Sequence, residues 1–240
     1  MNAIKIRELS FKWKGQGKAL LDNVDLSITR GEHVFIQGKS GSGKSSLLSL
    51  LVGINVPQTG SIEALGLHLN QLSAVERDEF RGDHIGYIFQ MFNLVPYLSV
   101  LDNVMLPCTF SKVRKEKILK AGKRPVDEAR RLLAELGLMD DEILNKKVTE
   151  LSVGQQQRVA ACRALIGSPE ILIADEPTSS LDEDAQNSFI KLILKECKQD
   201  GVTLIFVSHD PRFKQYFDRI FELKEGQLIP ENKAQNKVSV

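Results

Sequence analysis

At 240 residues, of which 42% are apolar and 26% charged, the chain has the composition of a soluble globular protein and the length of one substantial domain. Its formal net charge of +1 excludes the strong basic excess typical of nucleic-acid-binding proteins, so no nucleic-acid partner is expected. Cys108, Cys162 and Cys197 are too widely spaced for a disulfide framework or a metal motif, which favours a reducing compartment. The N-terminal residues lack the apolar core of a signal peptide.

The beginning of the chain predicts an antiparallel β layer. Apolar residues alternate with polar ones over 4–9 and again over 24–28, as they do in half-buried strands. Between these stretches, Trp13 lies in a polar turn that contains glycine. Residues 60–63 predict a further short strand. An antiparallel layer of strands is therefore expected around the stretch that follows.

Residues 38–46, here called the phosphate loop, read GKSGSGKSS and match the pattern G-x-x-x-x-G-K-S/T. The loop stands between an apolar run at 33–36, which predicts a buried strand, and one at 47–51, which predicts a helix. The glycines let consecutive N–H groups point at phosphate oxygens, and the helix N-terminus adds positive partial charge. We therefore expect Lys44 to reach the β- and γ-phosphates and the Ser45 hydroxyl to reach Mg²⁺.

The middle of the chain changes from strand to helix. Residues 73–76 have capping-box spacing for a short helix, and 85–89 predict a strand that ends at Gln90. Residues 84–101 carry no charged side chain other than a terminal His, but glycine, proline and amides interrupt them. This stretch therefore predicts a buried strand followed by a partly apolar loop, and no membrane-spanning helix.

Helices are predicted over 102–150, with Pro125 at a first helical position and Gly137 as a stop. Residues 111–124, here called the basic segment, hold seven basic side chains and one acidic one. One interpretation is a solvated helical hairpin. The other is a surface that contacts anionic lipid headgroups or an acidic partner.

The last third predicts alternating strands and helices. Further elements are expected as a helix over 155–165, central strands at 171–174 and 203–207, a long helix from Asp182 to about Lys198, a short helix at Pro211, a hairpin over 220–229 and a loose polar tail at 231–240.

Two further groups of residues indicate nucleotide chemistry. Asp175 and Glu176 follow a predicted buried strand, where ligands bind in open α/β sheets. Asp175 can hold Mg²⁺ through water, and Glu176 can polarise the attacking water. Ser152 and Gly154 precede a helix that begins with glutamines, which makes a second anion site. Because one nucleotide seldom needs two such sites, we infer that two copies close head to tail around ATP.

These motifs together resemble the nucleotide-binding subunit of an ATP-binding cassette (ABC) system, over nearly the whole chain. The matching segments are the Walker A loop at 38–46, the Q-loop at Gln90, the signature LSVGQ at 151–155, Walker B ILIADE at 171–176, the D-loop at 179–182 and the switch residue His209. The resemblance implies an α/β fold of the ABC-type P-loop NTPase class. It also implies a RecA-like core with an antiparallel β layer over 1–230 and a helical subdomain at about 91–155.

The same resemblance assigns roles to individual residues. It implies Glu176, His209 and Gln90 as catalytic, and Ser45, Gln90 and Asp175 as ligands of Mg²⁺. It places adenine against an aromatic residue, for which Trp13 and Phe11 are the candidates, with Trp13 preferred for its larger face. The residues implied to bind ATP are Trp13, Gly38, Lys39, Ser40, Gly41, Ser42, Gly43, Lys44, Ser45, Ser46, Ser152, Gly154, Gln155 and Asp182.

In finer detail the chain resembles the lipoprotein-release and macrolide-export subgroup, LolD-like and MacB-like. The matching stretches are 85–107, with 77–81 upstream, and 171–182. The resemblance implies an ATPase that drives a separate membrane permease, which docks on the apolar loop after Gln90. It also implies a position on the cytoplasmic face of the inner membrane. Two alternatives stay open, a regulatory ATPase of the cell-division type and a soluble ABC ATPase acting on DNA or the ribosome.

Overall fold

The computed structural model describes residues 1–15, 17–138, 140–179 and 181–231. They form two compact units. The first unit combines Met1–Arg77 with Leu204–Val240, and the second is Asp78–Thr203. Each unit has its own buried apolar core, and each contains part of the predicted site.

Strands and helices are numbered here in chain order. The strands are β1 (Asn2–Phe11), β2 (Leu21–Thr29), β3 (His33–Gln37), β4 (Thr59–Ala64), β5 (Leu67–His68), β6 (Ile85–Ile88), β7 (Ile171–Asp175), β8 (Thr203–Val207), β9 (Arg219–Lys224) and β10 (Gln227–Glu231). The α-helices are α1 (Lys44–Leu51), α2 (Ala74–His84), α3 (Val100–Phe110), α4 (Lys112–Lys120), α5 (Pro125–Glu135), α6 (Asp141–Asn145), α7 (Val153–Leu165) and α8 (Glu183–Asp200). Short 3₁₀ turns cover Leu69–Gln71, Val148–Glu150 and Pro211–Tyr216.

The first unit contains an antiparallel sheet in the order β2-β1-β4-β5. Its central strand explains the alternating sequence pattern, because Ile4, Ile6 and Leu9 are buried while intervening side chains face outward. Ile6 pairs with Leu26 on β2 and with Ile62 on β4, so apolar residues meet on one face. The predicted antiparallel β layer is present.

A second group of strands in the first unit runs in the order β10-β9-β3-β8. The strand β3 is parallel to both β8 and β9, and its apolar run is buried because it has a neighbour on each side. Phe35 packs against Phe206 and Phe217 at ring distances of 6.1 and 5.3 Å. This aromatic cluster fixes the strand that leads into the phosphate loop.

The second unit is built around α7, which packs against α3, α5 and β6, and β6 in turn pairs in parallel with β7. Gly86 on β6 shows how closely the strand approaches the helix. A Cβ at Gly86 would lie 2.3 Å from the carbonyl oxygen of Ala164, so any side chain there would displace backbone. The helix that begins with the signature residues is therefore the central element of this unit.

Two cations of the basic segment bond to the rest of the second unit and are not fully solvated. Arg114 on α4 is only 2% exposed, and its guanidinium donates to the carbonyls of Ala164, Ile166 and Ile85. Two of those carbonyls belong to the C-terminal end of α7, where a cation is favoured by the helix dipole. Lys117 donates to Glu170 at 2.9 Å. The interpretation as a solvated hairpin is therefore wrong for these two cations, because Arg114 holds the end of α7 and Lys117 holds the loop between α7 and β7.

Other departures from the sequence-based expectations are small. The helix expected from Gln155 begins two residues earlier, at Val153, so Gly154 lies within its first turn. The strand β10 continues to Glu231, the first residue of the expected loose tail, and includes Pro230, which is tolerated because β10 is an edge strand. The rest of that expected tail, 232–240, lies outside the described residues.

The region expected to form a helical subdomain, 91–155, holds α3, α4, α5 and α6 and the start of α7. Pro125 begins α5 as expected. Gly137, two residues after the end of α5, has left-handed backbone with φ of 76°, which is typical of a glycine that follows a helix. Across the part of the chain that the structure describes, no helix is long and apolar enough to cross a membrane.

Candidate nucleotide-binding site

The phosphate loop ends in an open helix N-terminus. Gly43 precedes α1 with φ of 102°, a backbone conformation that favours glycine. Within the described residues no side chain caps this helix, and its first turn contains no acidic residue. A Cβ at Gly38 would lie 2.6 Å from the Ser42 hydroxyl oxygen. The first-turn N–H groups of α1 are therefore available to an anion.

Lys44 brings a positive charge into this loop. Its side chain is buried, and Nζ donates to the carbonyl oxygens of Gly38 and Lys39 at 2.8 and 3.1 Å. The buried hydroxyl oxygen of Ser42 has no hydrogen-bond partner among the described residues. A buried cation and a polar atom with unused bonding capacity fit the binding of a phosphate group.

The aromatic candidates for adenine stacking differ sharply in exposure. Trp13 is 43% exposed, and its Nε1 lies 3.3 Å from the hydroxyl oxygen of Ser46 in the phosphate loop. Phe11 is only 5% exposed and meets the Trp13 ring edge-on at 5.1 Å. An exposed ring beside the loop can stack on a base, whereas a buried one cannot, so the geometry favours Trp13.

His209 leaves the sheet at the same edge as the phosphate loop. The strand β8 runs parallel to β3, with Val207 beside Ile36, and the Ser208 N–H donates to the Ile36 carbonyl at 3.2 Å. Gly38 and His209 each follow these neighbouring strand ends. Asp210, next to His209, accepts from Arg212, and this ion pair keeps the pKa of Asp210 below its ordinary value.

In the second unit, Gln90 and the two acidic residues also follow neighbouring strands. The parallel pairing of β6 and β7 sets Ile88 beside Ala174, so Gln90 and Asp175 lie at one sheet edge. Tyr87 donates its hydroxyl to the Asp175 carboxylate. Burial and the neighbouring carboxylate raise the pKa of Tyr87, which keeps this donor protonated. Sequence reasoning missed Tyr87, whose only signal was a hydroxyl within an otherwise apolar strand.

Glu176 stands in left-handed backbone with φ of 45°, which is strained for a residue with a side chain. The turn that follows is held by two glutamines. The side-chain amide of Gln157, buried on α7, donates to the Pro177 carbonyl, and that of Gln186 on α8 donates to the Thr178 carbonyl at 3.1 Å. The backbone around Glu176 is therefore tied to two helices.

The signature residues form a capping box at the start of α7. The Gln155 N–H donates to the Ser152 hydroxyl at 3.3 Å, and the Ser152 N–H donates to the Gln155 side chain at 2.9 Å. Leu181 packs close to Gly154, since a Cβ there would meet the leucine at 3.4 Å. The Ser152 hydroxyl proton stays available to a ligand oxygen.

Asp182 of the predicted D-loop caps α8, because its carboxylate accepts the N–H of Ala185 at 2.9 Å. Ser180 of the same motif lies outside the described residues. Cys108, Cys162 and Cys197 are all buried and not joined in disulfides. Burial raises the pKa of Cys162, which keeps its thiol protonated.

The predicted site residues thus fall into two sets. Trp13, the phosphate loop and His209 belong to the first unit, while Gln90, the signature residues, Asp175, Glu176 and Asp182 belong to the second. A sequence model of the family described as "ABC transporter" matches residues 21–179, which span most of both sets. The chain belongs to the ABC transporter family. Its ATP-binding motifs are those of the family's ATPase subunit, as the resemblance predicted.

Curated relatives agree with this family assignment. LolD of Syntrophotalea carbinolica, a lipoprotein-releasing system ATP-binding protein, is 38% identical over 209 residues, covering 87% of this chain and 88% of LolD. MacB of Rhodopirellula baltica, a macrolide export ATP-binding/permease protein, is 35% identical over 221 residues, covering 92% of this chain but 31% of MacB. The predicted likeness to the LolD and MacB subgroup is confirmed.

Solved structures confirm the fold. A dimeric structure of MJ0796, a bacterial ABC transporter cassette, matches with a TM-score of 0.81 at 35% identity, covering 94% of this chain and 96% of that one. A second MJ0796 structure, a post-hydrolysis state bound to ADP and Pi, has a TM-score of 0.81 at 33% identity, with coverage of 95% and 98%. The predicted ABC-type α/β fold and ATPase class are correct.

Proposed function

We propose that this protein is the ATPase subunit of a LolD/MacB-type transporter, in which two copies close around two ATP molecules and drive a separate membrane permease. One observation carries the proposal. The chain has an open phosphate-binding helix start at α1 and a second, capped helix start at the signature residues. A single nucleotide occupies the first, and the second suits the nucleotide of another copy.

ATP binding would begin at the phosphate loop. The ammonium of Lys44, now held by two loop carbonyls, would transfer its hydrogen bonds to the phosphate oxygens. The first-turn N–H groups of α1 would hold the same phosphates. The exposed face of Trp13 would stack on the adenine, while its indole N–H lies against Ser46. The remaining loop residues supply backbone N–H groups.

The proposed metal ligands carry oxygen donors, which suit Mg²⁺. Ser45 is exposed in the first turn of α1, and the Asp175 carboxylate accepts a hydrogen bond from the Tyr87 hydroxyl. Within the described residues no group of three or more acidic, His or Cys side chains could hold a metal ion. Mg²⁺ typically binds to only one or two protein ligands, and phosphate oxygens and water complete its coordination. The ion would neutralise charge on the phosphates during transfer.

Hydrolysis would depend on Glu176, His209 and Gln90. The strained backbone at Glu176, tied to α7 through Gln157 and Pro177, supports a carboxylate held in one orientation toward the attacking water. His209 would contact the γ-phosphate, and Gln90 would contact the Mg²⁺ and the water. Release of phosphate would then reopen the dimer.

Dimerisation is supported by the relatives. The MJ0796 cassette, which matches this chain over almost its entire length, is dimeric in its solved structure. In the proposed dimer Ser152 and Gly154 of one copy would contact the γ-phosphate held by the other, with Gln155 fixing the helix start. Asp182 would lie at the seam between the copies.

The permease would dock on the apolar loop after Gln90. Met91 and Tyr97 in this loop are 81% and 76% exposed, and exposed apolar side chains of this size often mark a partner surface. A permease partner would hold the protein at the cytoplasmic face of the inner membrane. Contact of the basic segment with anionic lipid stays a prediction, and its exposed cations are Lys112, Lys115, Lys120, Lys123 and Arg124.

The test uses the Glu176→Gln variant. We expect ATP hydrolysis to fall by about a hundredfold or more, while ATP binding persists and the variant elutes as a dimer only with ATP. Glu142→Gln, at an exposed position on α6, is the matched control and should behave as the unchanged protein. Hydrolysis by Glu176→Gln at the unchanged rate would contradict the role of this carboxylate.

The same trapped variant, tagged and purified from native membranes, identifies the partner. A permease with few spans and a large extracytoplasmic domain supports the proposal. A permease with many spans and a binding protein would indicate an importer, and co-purifying wall hydrolases would indicate the cell-division type. Recovery from the soluble fraction without a membrane partner would favour the DNA or ribosome alternative.

A further inference from the structure

The loop that follows Gln90 has a strained turn at its start. Phe92 and Asn93 both lie in left-handed backbone, with φ of 60° and 49°. The Phe92 N–H donates to the Phe89 carbonyl at 3.0 Å, and the Asn93 N–H donates to the Met91 carbonyl at 2.6 Å. Two successive residues with side chains rarely adopt this conformation unless other contacts hold them there.

Arg163 supplies such contacts. Its Nη1 donates to the Asn93 carbonyl at 2.7 Å, and its Nη2 donates to the Phe92 carbonyl at 2.6 Å. The planar guanidinium thus bridges both strained peptides, which a lysine ammonium cannot match in geometry. Across the described parts of the chain, no carboxylate lies within ion-pair distance of Arg163, so its hydrogen bonds go to this turn.

The other end of the same loop is held separately. Asn103 on α3 is fully buried, and its side chain bonds the backbone N–H and C=O of Val95 at 2.8 and 3.0 Å. It also donates to the Ser99 carbonyl at 3.0 Å. The half of the loop next to Gln90 is therefore held from α7, while the far half is held from α3.

We propose that Arg163 is a positioning residue that couples the signature helix α7 to the Gln90 turn through two hydrogen bonds to the carbonyls of Phe92 and Asn93. Arg163 lies about 15 Å along the axis from the start of α7, a length over which an α-helix moves as a rigid rod. A displacement of the signature residues therefore moves the turn that contains Gln90 and the already exposed Met91. The inference rests on the proposed role of Gln90 at the nucleotide.

The test compares Arg163→Lys and Arg163→Gln with Arg130→Lys, an exposed control on α5. Because Cys108, Cys162 and Cys197 are buried, a nitroxide can be attached selectively to Met91→Cys, and to Val75→Cys on α2 as a reference position. Mobility of each label is measured by electron paramagnetic resonance with and without ATP. The kcat and KM for ATP are measured on unlabelled protein.

We expect Arg163→Lys to increase label mobility at position 91 but not at position 75, and to lower kcat about tenfold with KM within about twofold. Unchanged mobility at 91 with unchanged kcat would overturn the proposal. Equal loosening at both positions would also overturn it, since that indicates general destabilisation. If Arg163→Lys fails to fold, the same label comparison is made in Arg163→Gln, whose side chain can reach only one of the two carbonyls. The same two outcomes then support or overturn the proposal.

Failure of the proposed function is distinguishable from failure of this inference. Protein with Arg163 intact that neither binds nor hydrolyses ATP would refute the ATPase assignment. The label mobility at position 91 without nucleotide would still report whether Arg163 holds the turn.

Discussion

The two helices that we expect to hold phosphate, α1 and α7, begin in different ways. The start of α1 is open, because Gly43 precedes it in left-handed backbone and the structure describes no side chain that caps it. The start of α7 is closed by Ser152 and Gln155, which satisfy each other's backbone N–H groups. The first helix therefore keeps its N–H groups for a ligand, while the second already uses some of them.

This difference indicates that α1 binds the nucleotide and that α7 contributes when a dimer closes. An uncapped N-terminus with the buried cation Lys44 is incomplete without an anion, so it should bind nucleotide tightly in a single copy. A capped N-terminus is stable alone and offers only its remaining donors. We expect it to contribute when a nucleotide is brought to it by another copy. Binding and dimer closure should therefore be separable by substitution.

The largest effect is expected from Lys44→Ala, which breaks the α1 site alone. Loss of a buried charged donor should weaken ATP binding by roughly 3 kcal/mol, or about a hundredfold. Equilibrium binding of a fluorescent ATP analogue measures this, with Lys191→Ala on the exposed face of α8 as the control. Unchanged affinity would refute the assignment of the phosphate loop.

The next largest effect is expected from Ser152→Asp, which breaks the α7 site alone. Aspartate caps a helix as well as serine does, so thermal stability should be preserved. Its charge would repel a phosphate, so ATP-dependent dimerisation and hydrolysis should fall by about a hundredfold while ATP binding by one copy is kept.

Ser152→Ala sharpens this result. It removes the cap and should cost about 1 kcal/mol of stability, without introducing repulsion. Size-exclusion chromatography with ATP and thermal unfolding separate the two variants. A Ser152→Asp protein that dimerises normally would show that no phosphate meets this helix.

A smaller effect is expected from Trp13→Ala, which trims the α1 site at its adenine end. Loss of base stacking costs about 1–3 kcal/mol, and at this partly exposed ring we expect the lower half of that range, an affinity loss of about tenfold, whereas Trp13→Tyr should retain most of the affinity. Trp13 is the single tryptophan of the chain, so its fluorescence should be quenched by ATP. Quenching should persist in Ser152→Asp and disappear in Lys44→Ala. Absence of quenching in the unchanged protein would reject Trp13.

The smallest effect concerns Glu170, in the loop between α7 and β7. Burial opposes ionisation of Glu170, but hydrogen bonds from His84 and Lys117 outweigh it and lower its pKa from 4.5 to about 2. A depressed carboxyl pKa stabilises the fold above about 4.5, and this stability is lost as the pH falls toward 2.

Thermal unfolding midpoints measured between about pH 6 and pH 3 check this expectation. They should fall more steeply for the unchanged protein than for Glu170→Gln, which no longer titrates at this position. Glu142→Gln, exposed on α6, should keep the steep dependence. Equal slopes in all three proteins would contradict the stabilising role of Glu170.

Much of the fold follows from local sequence pattern. The strand β3, the phosphate loop and α1 were predicted together, because a buried apolar run, a glycine loop and a helical run occur in consecutive residues. The cap of α8 by Asp182 and the capping box at Ser152 were also predictable, because each side chain bonds to a residue three positions further along the chain.

Residues with long-range partners were not predictable in this way. Arg114 looked like one cation of a solvated segment, yet its guanidinium reaches a carbonyl 50 residues away. Arg163 holds a turn 70 residues away, and Tyr87 donates to Asp175 on the neighbouring strand. Trp13 could be preferred over Phe11 only by size, until burial separated them.

The sequence by itself determined the family, the phosphate loop and the acidic and signature motifs, because that chemistry depends on residue types at short fixed spacing. The tertiary structure decided which cations are solvated, which aromatic ring is exposed and which arginine holds the Gln90 turn. Those properties depend on desolvation and on hydrogen bonds between segments far apart in the chain. A single sequence carries no local signal for such contacts.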